Sequence, residues 1–368
     1  MNSVLPVSVT SVEEIPDRGV ALVEAAFDVA GLVGYRYRAD DYYEVGREKI
    51  REYARAVQDF HPAHWSEAAA GELGYAGLIA PTTFISTVAM LANRRLLGTV
   101  MTGYDVVVQT DQVFEMYAPV HTGDRLVSDV ELSAVRRVAG KDLLTITNTF
   151  LDRSGDVVQI MHTTVLGLTS EDVEADLSER IERVIMSGLD TTPRTAAVAA
   201  DADGLLVTDP DSETAARLSP VSRTRAPRTA LRFEDVAVGD ELPARSVKLT
   251  RGDLVNYAGV SGDANPIHWH DGVAALAGLP DVIAHGMLTM GLGAGFVTGW
   301  LGDPAALIRY GVRLSNYAAI EATSAGSVEF TGRVKSVDPD TRTAVVVIVA
   351  KSAGRKVFGL TTANVRLA

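Results

Sequence analysis

The sequence predicts an α+β protein built twice over, with two antiparallel sheets, each curled around one buried helix. Three observations predict it. The chain repeats itself at a fixed offset, each copy holds one long apolar stretch of helical length, and each stretch is followed by a series of β-branched segments.

The repeat sets the domain count. Displaced by 204 positions, the chain matches itself without a gap. Tyr53 and Ala54 fall on Tyr257 and Ala258, Asp59 on Asp263, Pro62 on Pro266, His64 on His268 and Trp65 on Trp269. Ala70 falls on Ala274, Gly74 on Gly278, and Ile79 and Ala80 on Ile283 and Ala284. Unrelated segments of this length would share about two residues. A chain of 368 residues is also too long for one ordinary core. The expected organisation is an N-terminal domain over 1–169, a linker over 170–229 and a C-terminal domain over 230–368. The linker stands out by its Ala, Asp, Ser, Thr and Pro, including Pro193, Pro210, Pro220 and Pro227. Its length lets two similar halves pair side by side within the chain. A short helix is expected near 173–186, and 170–186 fits equally well as a tail of the first domain packed on its surface.

Each copy reads in the same order. A short helix (45–57, 251–260) leads to a turn marked by Pro62 or by Asn265-Pro266. An apolar helix follows (82–97, 286–301). Strands then run in series, at 106–115, 125–137, 143–151 and 157–166, and at 307–314, 326–337, 343–350 and 356–365. Ser154-Gly155 and Ala353-Gly354 have the form of hairpin turns. The stretch from Gly286 to Gly302 carries no charge and six glycines, Gly286, Gly291, Gly293, Gly295, Gly299 and Gly302. Glycine at that density is a poor choice for a lone helix in water. It suits a helix that other backbone wraps closely, and the economical way to bury such a helix is a sheet curled around it. The stretch falls short of the ~20 residues a membrane span needs.

Composition narrows the function. Apolar residues make up 47% and charged residues 22%, as in soluble globular proteins. With no cysteine, disulfides, thiolate metal sites and a cysteine nucleophile are excluded, and a reducing cytoplasm is the expected setting. A net charge of -13 and a pI near 5.0 disfavour nucleic acid and anionic lipid as partners. Lys351, Arg355 and Lys356 form either a local basic patch for an acidic partner or a solvated strand edge. Residues 1–16 lack the basic and apolar regions of a secretory leader, and none is expected.

The chemistry is concentrated in Tyr257-Ala258-Gly259-Val260-Ser261-Gly262-Asp263-Ala264-Asn265-Pro266-Ile267-His268, with the motif proper running from Gly262 to His268. Asp263 and His268 lie five apart across a proline turn, so they can converge from two sides of a loop. A carboxylate beside an imidazole moves protons near neutral pH. The same residues could instead cap a turn and serve as a satisfied structural histidine. Neither is expected in the packed core. Seventeen residues after His268, His285-Gly286-Met287 opens the apolar helix. A helix N-terminus offers unpaired N–H groups and positive potential, and glycine leaves an approaching carbonyl unobstructed, so Gly286 is a candidate oxyanion-hole donor. Close packing would also account for a glycine there.

These two motifs together resemble the signature of the MaoC-like (R)-specific hydratases and dehydratases. The resemblance implies the hotdog fold, here a double hotdog, with Asp263 and His268 as catalytic pair, Gly286 as oxyanion donor, and Asn265 and His285 in substrate-binding or supporting roles. It implies no metal or redox cofactor. The N-terminal half, with Tyr42 to Glu48 and Gly74 to Thr82, resembles the companion subunit of two-chain (3R)-hydroxyacyl-ACP dehydratases of type II fatty acid synthesis. The chain then looks like a fused pair. The implied reaction is reversible dehydration of (3R)-3-hydroxyacyl thioesters, on acyl carrier protein or coenzyme A, with a homodimer open. The alternatives are an (R)-specific enoyl-CoA hydratase of degradation or polyester supply, a hotdog thioesterase, and a non-enzymatic acyl-binding protein. The N-terminal copy departs from the pattern. It keeps Asp59 and His64 but has His61 where the other has Asn265, and Pro81-Thr82 where the other has His285-Gly286. A second active site there is the competing expectation.

Overall fold

The computed structural model describes residues 29–101, 103–169, 171–172, 176–187 and 226–368. Most of the expected linker lies outside them. The N-terminal half contains β1 (Arg36–Arg38), β2 (Tyr43–Glu44), α1 (Arg47–Ala56), α2 (Glu67–Glu72), α3 (Ile85–Ala92), α4 (Arg94–Thr99), β3 (Val106–Met116), β4 (Arg125–Val138), β5 (Lys141–Leu151) and β6 (Val157–Leu168). After α5 (Asp176–Val184) come β7 (Glu241–Leu249), α6 (Arg251–Ser261), α7 (Asp271–Leu276), α8 (Gly286–Leu301), β8 (Leu307–Leu314), β9 (Gly326–Asp338), β10 (Thr343–Ser352), β11 (Arg355–Lys356) and β12 (Phe358–Arg366).

The long helix α8 is the axis of the C-terminal half. Its interior residues from Leu288 to Thr298 are buried without interruption, as is Leu301. Two glycines show why bulk is excluded. A Cβ on Gly293 would stand 2.5 Å from the Tyr310 hydroxyl, and one on Gly291 would stand 2.6 Å from Val57 Cγ1 of the N-terminal half. Strands β9 and β10 alternate buried with less buried residues along most of their length, so one face of the sheet closes on α8.

The N-terminal copy differs. One apolar helix over 82–97 was expected, but a 3-10 turn (Thr82–Phe84) leads into two short helices that break at Asn93. The cause is a side chain wedged into the ladder. The Tyr37 hydroxyl donates to the Ala92 carbonyl (2.7 Å) and accepts from the Leu96 N–H (3.1 Å), replacing the direct bond between those two groups. Buried Asn93 and Asn148 exchange amide hydrogen bonds at the same break.

The two half-sheets are not separate. They form one 12-stranded antiparallel sheet in the order β1-β4-β5-β6-β3-β8-β12-β10-β9-β7, with β2 and β11 off the path. The hairpin turns Ala139-Gly140 and Ala353-Gly354 have positive φ at both residues, the tight type matched to strand twist. Below the sheet, one apolar core runs through both halves, from Ile50 and Phe114 to Phe330 and Val365. Helix α5 lies against α7 of the C-terminal half, while Asp172 just before it pairs with Lys141 of the first half. The returning chain is tied at Asp303, whose carboxylate accepts from the Arg228 N–H (2.8 Å) and from the Tyr75 hydroxyl of the N-terminal half.

The β3–β8 seam is symmetric about the pair Val113 and Gly311. On one side Arg313 meets Asp111 at 2.9 Å, and on the other Arg309 meets Glu115 at 3.4 Å. Both acids sit on the N-terminal edge and both bases on the C-terminal edge. Two N-terminal edges in this register would set Asp111 against Glu115, and two C-terminal edges would set Arg309 against Arg313. Each exposed pair is worth only about 0–1 kcal/mol, yet like charges directly opposite cost a similar amount, so the seam favours the unlike pairing. Asp111→Arg with Glu115→Arg should lower the unfolding temperature by a few degrees. Adding Arg309→Glu and Arg313→Asp should restore it. Equal unfolding temperatures in the wild type and both variants would show that the apolar core alone holds the seam.

Candidate active site

The site begins where α6 ends. Thr250 and Asp253 form a capping box at the start of that helix, and Gly262 in the left-handed region (φ 80) ends it. The chain then turns sharply. The Ser261 hydroxyl accepts from the Asp263 N–H, and an Asp263 carboxylate oxygen accepts from the Asn265 N–H, both at 3.2 Å. The Asn265 side-chain oxygen caps a 3-10 turn (Pro266–His268) by accepting from the Ile267 N–H. Asn265 therefore shapes the loop. The Trp269 indole N–H fastens the loop to the Ala264 carbonyl at 3.0 Å.

His268 is held from the opposite side. Its Nδ1 lies 2.8 Å from the Ile283 carbonyl oxygen. A carbonyl only accepts, so Nδ1 carries the proton and Nε2 keeps the lone pair. His268 is 7% exposed, against the expectation that it would lie outside the packed core. Asp263 is half-buried. A ring nitrogen of His268 and a carboxylate oxygen of Asp263 lie within 4.8 Å of each other, yet outside the 4.0 Å of an ion pair. An oxygen atom about 2.7–3.0 Å from each would bridge them.

His285 completes the group. Its ring stacks on that of His268 with centroids 3.7 Å apart and an interplanar angle of 25°, and its Nε2 lies 3.3 Å from the Asp263 carbonyl oxygen. The next residue, Gly286, starts α8. A Cβ there would stand 2.7 Å from Leu314 Cδ1 and 3.6 Å from Gln109 Oε1. Gln109 comes from β3 of the N-terminal half, and it donates to the Gln112 side-chain oxygen at 2.8 Å. The site is thus built by both halves. Tyr257 opens the segment that the sequence singles out, and it packs against His285; Gln109 and Leu314 are not legible there, because only the pairing of β3 with β8 brings them near. Asp263, His268 and His285 are also the residues that could hold a metal. Their two imidazoles are stacked, so the in-plane lone pairs run side by side and do not converge at the ~2.0–2.1 Å that zinc requires.

The N-terminal copy has the same loop with a different outcome. His61 Nδ1 accepts from the Ala63 N–H, as Asn265 does for Ile267. His64 Nδ1 lies 2.7 Å from the Ile79 carbonyl oxygen. Here, however, His64 Nε2 and Asp59 Oδ2 are in contact at 3.4 Å, and both residues are buried. A Cβ on Gly295 of α8 would stand 3.3 Å from the Asp59 carboxylate, so the other half's helix covers this pair. Burial opposes the charge on Asp59, but His64 and the His61 N–H outweigh it and hold the carboxyl below its usual range.

The Asp263–His268 pair thus lies beside the start of a buried helix around which the sheet closes. A model for the MaoC-like domain matches residues 234–353, and one described as the FAS1-like dehydratase domain region matches 31–161. A solved MaoC-like dehydratase is 50% identical, with a TM-score of 0.84 over 93% of this chain and 100% of its own. The chain belongs to the MaoC-like dehydratase family. A stretch of 150 residues, 40% of this chain, is 41% identical to a UPF0336 protein of Mycolicibacterium paratuberculosis and covers 94% of that protein. A Mycobacterium tuberculosis protein with a double hotdog fold, 14% identical, superposes with a TM-score of 0.57 over 91% of this chain and 96% of its own. Its likeness is one of fold alone, and the double hotdog is the fold here. Among the described residues no helix is long and apolar enough to cross a membrane.

Burial pushes His61, His162, His268 and His285 below the ordinary imidazole value; for His285 the neighbouring His268 adds to the effect. The unfolded chain, with imidazoles near 6.5, then binds more protons than the folded one at mildly acid pH. The stability from neutral burial is present above about pH 6.5 and is lost as pH falls below it. The unfolding temperature should decrease from pH 7 to pH 5. A constant or rising value would show that these rings charge freely in the folded state.

Proposed function

We propose that the chain catalyses the reversible removal of water from (3R)-3-hydroxyacyl thioesters to give trans-2-enoyl thioesters, in fatty acid elongation, at one site in the C-terminal half. The observation that carries this is the gap between Asp263 and His268 beside the start of α8. The thioester oxygen would accept the Gly286 N–H, where the helix terminus favours developing negative charge. Between them, Asp263 and the lone pair of His268 would take the α-proton and return a proton to the departing hydroxyl, so that water and the enoyl thioester leave. The dehydratase relative supports the reaction class, and the (3R) configuration follows the family resemblance. The test is hydration of crotonyl and long-chain enoyl thioesters on acyl carrier protein and on coenzyme A, with the product's configuration determined. Failure on every substrate would sink the reading, and preference for coenzyme A would favour the hydratase of degradation.

In the N-terminal copy, Asp59 and His64 touch each other under α8, and Thr82 stands where the other copy has Gly286. His268→Ala and Asp263→Asn should each cut turnover by about 100-fold or more. His64→Ala should leave turnover per folded molecule nearly intact, though buried His64 makes a loss of stability expected. Comparable losses of turnover in His64→Ala and His268→Ala would mean that both copies work.

Gly286→Val should lower turnover by roughly 100- to 1000-fold, the scale of one lost oxyanion donor. Some stability should go as well, because Leu314 lies in the way. If the unfolding temperature drops while turnover per folded molecule holds, Gly286 is a packing residue only.

A further inference from the structure

We infer that His285 is a positioning residue that keeps Asp263 and His268 apart, holding open the space between them. This rests on the reading of the pair as the reacting groups. Three contacts carry it. One face of the His285 ring lies on the ring of His268 at 3.7 Å. Its Nε2 faces the Asp263 backbone carbonyl at 3.3 Å. Its own backbone begins α8, where the Thr289 N–H donates to the His285 carbonyl at 3.1 Å. One residue therefore links the imidazole, the loop that carries the carboxylate and the helix start that carries Gly286. The Tyr257 ring, 4.9 Å away, backs it, and Tyr53 of the N-terminal half lies beyond at 6.3 Å from Tyr257. His285 is fully buried, so it has no freedom to yield.

The duplicated copy supplies an internal control. The position equivalent to His285 is Pro81, which has neither an aromatic ring to stack nor a nitrogen to donate. There the histidine and the aspartate close to 3.4 Å. Where His285 is present, the pair stays beyond 4.0 Å. The chemistry of His285 also argues against a filler. Its Nδ1 is buried with no hydrogen-bond partner, an unfavourable arrangement that a phenyl ring of similar size would avoid. The groups facing the two rings are the Asp263 carboxylate and the Tyr257 ring, with the Ile283 and Asp263 carbonyls.

Three variants separate the contributions. His285→Phe keeps a ring against His268 and loses the contact to Asp263. His285→Gln keeps a donor and loses the stack. His285→Pro installs the residue of the other copy. Full-length proteins are assayed for enoyl-thioester hydration, for thermal unfolding, and by nitrogen-15 NMR titration of the histidines. His285→Phe is expected to lower kcat by about 10- to 100-fold with KM nearly unchanged, the scale of a misplaced reacting group, and His285→Gln to recover part of that loss. In His285→Pro the resonance of His268 should titrate at higher pH than in the wild type, because its ring moves into contact with Asp263. Unchanged kcat per folded molecule together with an unchanged His268 titration would overturn the inference, whatever happens to the unfolding temperature. A wild-type protein without hydratase activity would instead count against the proposed function, and the titration would then decide the role of His285 by itself.

Discussion

The architecture depends on the closeness with which other elements approach α8. A helix that carries glycine where its neighbours press in can be surrounded on all sides at backbone distance. The Tyr310 hydroxyl fills the space at Gly293, Val57 that at Gly291, and the Asp59 carboxylate lies over Gly295. The first contact is made by the helix's own half, and the other two come from the duplicated half. The glycines of α8 thus seat the N-terminal domain, and the same helix begins at Gly286, the residue proposed to meet the thioester oxygen. Packing and chemistry share one element, so a change in how the halves sit would be felt at the site.

Duplication placed two identical Asp–His spacings in the chain, and packing has made them unequal. In the C-terminal copy the loop is half-open, the imidazole is held neutral, and His285 lies beside it. In the N-terminal copy the carboxylate and imidazole have turned to each other and the partner's helix covers them. A buried carboxylate needs a compensating partner, and His64 supplies it. Asp59 and His64 therefore close on each other within the N-terminal half, beneath the helix of the C-terminal half. The N-terminal half still contributes to the open site, since Gln109 reaches the start of α8 from across the seam.

The broken helix of the N-terminal half and the charged seam illustrate how the duplicated halves diverged. Tyr37 diverts one hydrogen bond of the helical ladder through its hydroxyl, and the helix bends there without leaving either backbone group unsatisfied. Along the seam, acids on one edge and bases on the other distinguish the two halves at the line where they join. These features cost little energy individually, but each acts where two otherwise similar halves would be interchangeable.

Much of this was legible in the sequence because the signals are local. The glycine-rich apolar run marked α8 from Gly286 to Leu301, alternation and turn residues marked the principal strands, and the proline turn with Gly262 and Asn265 showed that Asp263 and His268 share a loop. The short strands β1, β2 and β7 and the small helices α2 and α7 went unread, because a segment of a few residues carries too little periodicity. What depends on residues far apart in the chain was decided only by the tertiary structure. The union of two sheets at β3 and β8, the place of Gln109 beside Gly286, the hydroxyl of Tyr37 inside a helix some 55 residues away, and the burial of His268 all follow from packing. The clearest case is the pair of duplicated loops. Their sequences carry the same aspartate and histidine, and whether the two groups leave a gap or close on each other is set by the residue that packs beside them, His285 in one copy and Pro81 in the other, and by the helix that lies above. Spacing along a chain determines which side chains can meet; the distance at which they stand is determined by what is packed between and around them.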